Sequence, residues 1–208
     1  MPRLLVLFTL CLVWSSCRDS VEVKEDTLEK SSEYSKNLAP LIDPAKLDTL
    51  KEKRAATPRL RKACYWLEMA RRNGDDLKKT ISKAHSLSGN DGPEREAAQS
   101  NSLIRNLTIL ERLGCLNVEG MEKLRRGKAP TITKGRYAGE IATGDHIIPR
   151  SVTPELDNCL FNLEFMPLTL NQRKGAKISQ RQIQLARRWH SEGLLSYDGL
   201  GKVEEAGK

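Results

Sequence analysis

The sequence predicts an α+β fold: a mostly helical body followed by a small strand–loop–strand–helix unit in the C-terminal half. Three observations carry this. Apolar residues recur at helical spacing from Leu41 to Arg126. After Lys128-Ala129-Pro130 the texture changes to short extended pieces broken by Gly135 and Gly139. Two apolar runs, residues 145–149 and 162–167, each end at a proline, and Leu168 to Gly175 can then start a helix. The order predicts residues 1–17 as an export signal, 18–38 as a tether, 39–128 as the helical region, 129–198 as the unit carrying the candidate site, and 199–208 as a frayed tail.

The amino terminus reads Met1-Pro2-Arg3, an apolar run from Leu4 to Trp14, then Ser15-Ser16-Cys17. One positive charge, a short apolar stretch and small residues make a secretory signal. The run is too short to cross a bilayer as a helix, which takes about 20 residues. Trp14-Ser15-Ser16-Cys17 resembles the lipobox of bacterial lipoproteins, with Trp14 where leucine is usual. That resemblance implies acylation of Cys17 and a membrane anchor in the bacterial envelope. Plain cleavage near Ser15 or Ser16 is the other reading, and it gives a soluble periplasmic or secreted protein. Residues 18–38 are rich in Ser, Glu, Lys and Asp and hold too little apolar surface to offset ordering entropy, so they read as a flexible tether.

In the helical region, Thr57-Pro58 reads as an N-cap and first-turn pair opening a helix with Leu60, Cys64 and Leu67 on one face. Leu77, Ile81, Ala84 and Leu87 form a second apolar stripe, starting after Asp75-Asp76 and ending near Gly89. A turn at Asn90-Asp91-Gly92-Pro93 leads into a longer helix from about Glu94 to Leu113, with Leu103, Ile104, Leu107 and Leu110 inward and Gly114 as its stop. Val118 to Arg126 is a short fourth. Cys64, Cys115 and Cys159 allow one disulfide and a leftover thiol, or three buried small apolar side chains. Asn106-Leu107-Thr108 is a glycosylation sequon, without meaning in a bacterial protein. His85 reads as a surface or boundary residue.

Net charge is +8, and residues 54–208 carry 27 Lys/Arg against 18 Asp/Glu, so the positive excess belongs to the folded part. That points to an anionic partner such as nucleic acid or a membrane surface. Arg59, Arg61, Lys62, Arg71, Arg72, Lys78, Lys79, Arg125 and Arg126 read either as a phosphate-facing surface or as a solvated helix face.

The chemistry-bearing residues lie further on. Asp145 directly precedes His146. Asn162 opens the second strand, and Asn171-Gln172-Arg173-Lys174-Gly175 follows it. The Asp145 carboxylate and Asn171 amide oxygen suit a hard divalent cation and would leave positions for water and phosphate. A neutral imidazole at His146 can take a proton from water near pH 7. Because Asp145 and His146 alternate along a strand, a bend must bring both to one phosphate. Asn162 can hold the imidazole in a useful orientation. Asp157-Asn158 reads as a loop cap rather than a ligand. His190 sits on a helix from about Ser179 to Glu192, where Leu185 and Trp189 pack inward, and does not read as catalytic.

Asp145-His146-Ile147-Ile148-Pro149, Asn162 and Asn171 to Gly175 resemble the HNH endonucleases in their H-N-N variant. The resemblance covers about residues 139–177. It implies a ββα-metal fold around the site, with His146 as general base, Asp145 and Asn171 as metal ligands and Asn162 as the central structural residue. Asn171, where other members place a histidine, favours Mg²⁺ (Mn²⁺ in its place) over zinc. The zinc knuckle common among relatives is absent, since no CxxC pair exists. Lys174, Arg150 and Arg173 are the expected contacts to the phosphate backbone. The expectation is an exported, lipid-anchored nuclease acting on DNA. Its rivals are the same site acting on RNA, a non-catalytic nucleic-acid-binding lipoprotein, and a structural envelope protein.

Overall fold

The computed structural model describes residues 33–42, 56–89 and 92–208. The signal, Cys17 and most of the expected tether lie outside these residues. The fold is α+β and mostly helical, with one two-stranded antiparallel sheet.

Residues 33–42 form a helix (α1), which corrects the tether boundary: residues 33–38 are helical, not flexible. Tyr34, Leu38 and Ile42 fall four residues apart and are all buried, a helical stripe that the polar composition around it diluted. The helix α2 (Ala56–Arg72) is helical from its first described residue, so Thr57 lies inside it and does not cap it. Two more helices run as the spacing predicts. In α3 (Leu77–Ser88) the Asp76 carboxylate accepts from the backbone N–H groups of Lys78 and Lys79, and left-handed Gly89 closes the end. The long α4 (Pro93–Arg112) buries Leu103, Leu107 and Leu110. A short α5 (Val118–Arg125) is capped by Asn117.

Two expectations on α3 change. His85 is buried, because it extends the Ile81/Ala84 face; Leu87 is half-exposed at the end of the helix. Cys64 and Cys115 are buried free thiols in the main core and Cys159 is a partly buried one, so no disulfide forms among them. Burial pushes the Cys115 thiol up to about 11, and raises Cys64 further.

After α5 the chain turns through residues 135–140, with a single bridge between Thr131 and Ile141 in place of the two extended pieces expected. Strand β1 (Ala142–His146) pairs antiparallel with β2 (Leu163–Pro167), in the register Ala142–Pro167, Gly144–Phe165 and His146–Leu163. β1 thus begins earlier than expected and stops at His146, not at Pro149. Directly opposed residues share a sheet face. Ala142, Leu163 and Phe165 are buried in the main core with Leu60, Leu67, Ile81, Leu103 and Leu110. Gly144, opposite Phe165, lies on this face too, and a Cβ there would come within 2.7 Å of Thr57 on α2, which is why the position takes glycine. The opposite face carries Thr143 and Asp145, and α6 (Leu168–Lys174) covers it.

A second core lies beyond the sheet. Ile147, Ile148, Leu156 and Phe161 pack against α7 (Gln180–Ser191) and α8 (Tyr197–Ala206) through Ile183, Ala186, Trp189 and Val203. The tail expected to fray from Gly199 is therefore helical. Val203 is fully buried, and the Ser196 side chain accepts from the Gly199 N–H to start the helix.

Candidate active site

The sheet and α6 form a strand–loop–strand–helix unit, and hydrogen bonds fix how its parts meet. The helix follows Pro167 without a break. Its first turn is held from the segment before β1: the Glu140 carboxylate accepts from the Thr169 N–H at 2.9 Å and the Thr169 hydroxyl at 2.8 Å. Asn171 and Lys174, three apart, share one face of α6. Thr143 and Asp145, two apart, share one face of β1. The two faces meet in register. Asn171 Nδ2 donates to Thr143 Oγ1 at 3.1 Å, and Lys174 Nζ donates to Asp145 Oδ2 at 2.6 Å. The same ammonium donates to the His146 carbonyl oxygen at 2.6 Å.

Asp145 and His146 leave β1 on alternate sides, and the chain bends at Ile147–Ile148, directly after His146. The imidazole Nε2 lies 2.8 Å from the Asp157 carbonyl oxygen and 3.0 Å from Asp157 Oδ1. A carbonyl oxygen and a carboxylate only accept. Together they place the ring proton on Nε2 and leave the lone pair of Nδ1 for a proton from elsewhere.

Asn162 does not touch the imidazole, which corrects its expected role. It is fully buried, in a short helical turn before β2, and it stitches backbone. Its Oδ1 accepts from the Ile148 N–H at 2.8 Å, and its Nδ2 donates to the Ile148 carbonyl at 2.9 Å and the Leu156 carbonyl at 3.4 Å. One amide thus takes over the pairing of β1 where the strand ends, and closes the loop that carries Asp157.

Three supports went unnoticed in the sequence. Asp157 caps the turn Pro154–Leu156 as expected, but it also holds the candidate base. Asn106 of α4 is fully buried and fills the outer edge of β2: it donates to the Leu163 carbonyl and accepts from the Phe165 N–H, at 2.9 and 2.8 Å. The sequon asparagine is thus structural. Arg59, read as a surface base, is buried and donates to the carbonyls of Leu41 and Asn158, tying α1 to the site loop. The signal available for Asn106 and Arg59 was only a polar residue on an otherwise apolar helix face; Asp157, in a loop, offered none.

The charged neighbours are mostly paired. Glu164, opposite Asp145 in the register, binds Arg181 at 2.6 Å and Arg105 at 3.2 Å. Burial lowers the Arg105 guanidinium's pKa. Arg71 and Arg72 both bind Glu68, and Arg125 and Arg126 both bind Glu122, which argues against those helices as a free phosphate surface. Arg150 and Arg173 are exposed near the site, whereas Lys174 is engaged with Asp145. His190 donates its Nδ1–H to the Leu195 carbonyl and stacks edge-on against Tyr197, a structural placement.

Two oxygens of the kind a hard ion takes, the Asp145 carboxylate and the His146 backbone carbonyl, are gathered about one cation, the Lys174 ammonium, while the Asn171 amide on the same helix face is bonded to Thr143. Among the described residues no three His, Cys, Asp or Glu side chains cluster, so an ion here would complete its shell with water and substrate. No helix among the described residues is long and apolar enough to cross a membrane. Compared with protein-family models, characterised proteins and solved structures, the chain matches none.

Proposed function

We propose that this protein is a metal-dependent endonuclease of the HNH type that hydrolyses phosphodiester bonds in DNA. The observation that carries the reading is the imidazole of His146, at the end of β1, held through Nε2 so that Nδ1 is the available base; Asp145 and Asn171 lie on the other, α6-covered side of the strand. His146 Nδ1 takes a proton from water as its oxygen attacks phosphorus, and the phosphorus–oxygen bond to the leaving sugar breaks. Asp157 keeps the ring in the required tautomer, and Asn162 keeps Asp157's loop against the strand. A divalent ion, Mg²⁺ or Mn²⁺, bound by Asp145 and Asn171 would neutralise charge on the scissile phosphate and the departing oxygen. Arg150 and Arg173 face solvent, free to pair with flanking phosphates. The signal-like residues 1–17 support action outside the cytoplasm, with Cys17 as a lipid anchor.

Protein produced without residues 1–17 is expected to nick plasmid DNA with Mg²⁺ or Mn²⁺ and to stop with EDTA. His146→Ala should lower the rate by roughly 10²–10⁴-fold, the usual worth of a general base. Equal cleavage by wild type and His146→Ala sinks the reading. Salt-sensitive binding without cleavage would instead favour a nucleic-acid-binding protein, for which the positive excess of residues 54–208 speaks. Parallel assays on RNA and on single- and double-stranded DNA fix the substrate.

A further inference from the structure

Lys174 occupies the Asp145 carboxylate oxygen that the proposed ion would need. Its Nζ lies 2.6 Å from Asp145 Oδ2 and 2.6 Å from the His146 carbonyl oxygen, both short for N–H···O contacts. A backbone-gripping lysine would extend into solvent, but this side chain is 19% exposed and its Asp145 partner 21%. It projects from the face of α6 that also bears Asn171, and that face is fixed against β1 by the Asn171–Thr143 contact. The ammonium and a divalent ion therefore seek the same carboxylate oxygen, and two cations in contact on one carboxylate repel.

We propose that Lys174 is the resident counter-cation of this site: its ammonium holds Asp145, and a divalent ion loads only by displacing it. The proposal rests on the reading of Asp145 as a metal ligand. It has two consequences. Metal affinity is set by a competition, so the wild type binds more weakly than its oxygen donors alone would allow. The freed ammonium reaches a substrate phosphate only after the exchange, which couples metal loading to grip on the nucleic acid.

The test is Mn²⁺ binding followed by electron paramagnetic resonance, with no substrate present. Wild type, Lys174→Met and Asp145→Asn are compared, with Lys174→Gln as the second variant should the methionine side chain disturb folding by circular dichroism. Removing a partly buried ionic competitor is expected to tighten Mn²⁺ binding about tenfold in both lysine variants. Asp145→Asn should lose it. In EDTA the lysine variants should melt below wild type, and Mn²⁺ should raise their Tm by more than it raises that of wild type. Unchanged or weaker Mn²⁺ binding in the lysine variants, with Asp145→Asn impaired, overturns the counter-cation role and leaves the metal centre standing. Absence of Mn²⁺ binding in every protein, wild type included, overturns both.

Discussion

In the helical body, α2 to α5 close around fully buried Leu60, Leu67, Ile81, Leu103, Leu110 and Leu124, and most backbone groups pair inside the helices. Around Ile147 to Phe161 a smaller core is wrapped about a loop. Phe161 meets Trp189 edge-on with ring centroids 5.0 Å apart. The loop's backbone N–H groups pair mostly with its own carbonyls in short turns, and side chains take groups those turns leave: Asn162 takes the N–H and carbonyl of Ile148, and His146 meets the carbonyl of Asp157. Glu155 accepts from the N–H and hydroxyl of Ser196, fastening the loop to the start of α8. The body is held by burial, which is non-directional and forgiving of small shifts. The loop core is held by polar contacts that fix individual atoms, which a general base requires. The sheet is the seam: Ala142, Leu163 and Phe165 belong to one core, while Ile147 and Ile148, just past His146, belong to the other.

The largest expected effect comes from removing the centre of the smaller core. Trp189→Ala should cost about 3–5 kcal/mol. Hydrogen exchange should then accelerate in residues 147–161 and 180–206 while α2 and α4 stay protected. Uniform acceleration would show that the two cores open as one unit.

A matched pair sharpens the distinction next. Asn106 and Asn162 are both fully buried amides that satisfy backbone through three or more hydrogen bonds, one on the body side of β2 and one on the loop side. Each change to alanine should cost about 2–3 kcal/mol by urea unfolding, from lost bonds and stranded polar groups. Their effects on DNA cleavage should differ. Asn162→Ala releases the loop that holds His146 and should lower the rate well below what its unfolded fraction explains. Asn106→Ala should retain its rate below its melting range. Equal rate losses would place the base under the control of the body.

The body was largely legible because its information is local and periodic. The Leu77/Ile81/Ala84 stripe, the Asp76 cap and the Gly89 stop each lie within a few residues of what they determine. The strand–loop–strand–helix order was legible from the prolines and the change of texture. The polar connections of the site were not. His146 to Asp157, Asn106 to Phe165 and Glu140 to Thr169 span 11, 59 and 29 residues, and nothing in a short window marks which partner a side chain will find. The same limit produced the error on Asn162: an amide near a histidine in sequence order was given to the ring, whereas the bend after His146 turned it toward Ile148. The tail was misjudged for a different reason. Gly199 and Gly201 argue against a helix by intrinsic propensity, but burial of Val203 and the Ser196 cap outweigh them.

The smallest effect is a control in the body. Asp76 caps α3, with Oδ1 accepting from Lys78 N–H at 2.8 Å and Lys79 N–H at 3.1 Å. The Lys79 N–H bond, aided by that from Lys78, holds its carboxyl below the usual carboxylate range. A depressed folded value means that the ionised form stabilises the fold. Its contribution is complete above the unfolded carboxylate pKa of about 4 and is lost as pH falls through the folded value. Asn in place of Asp76 keeps an N-cap but does not titrate. The Tm difference between wild type and Asp76→Asn should therefore be constant from neutral pH to about 5, and should shift against wild type below about 4. Asp76→Ala should lower Tm slightly at neutral pH and leave the rate of DNA cleavage unchanged. A fall in rate would mean that α3, which packs on α4, reaches the loop after all, and that the boundary at the sheet is weaker than its hydrogen bonds imply.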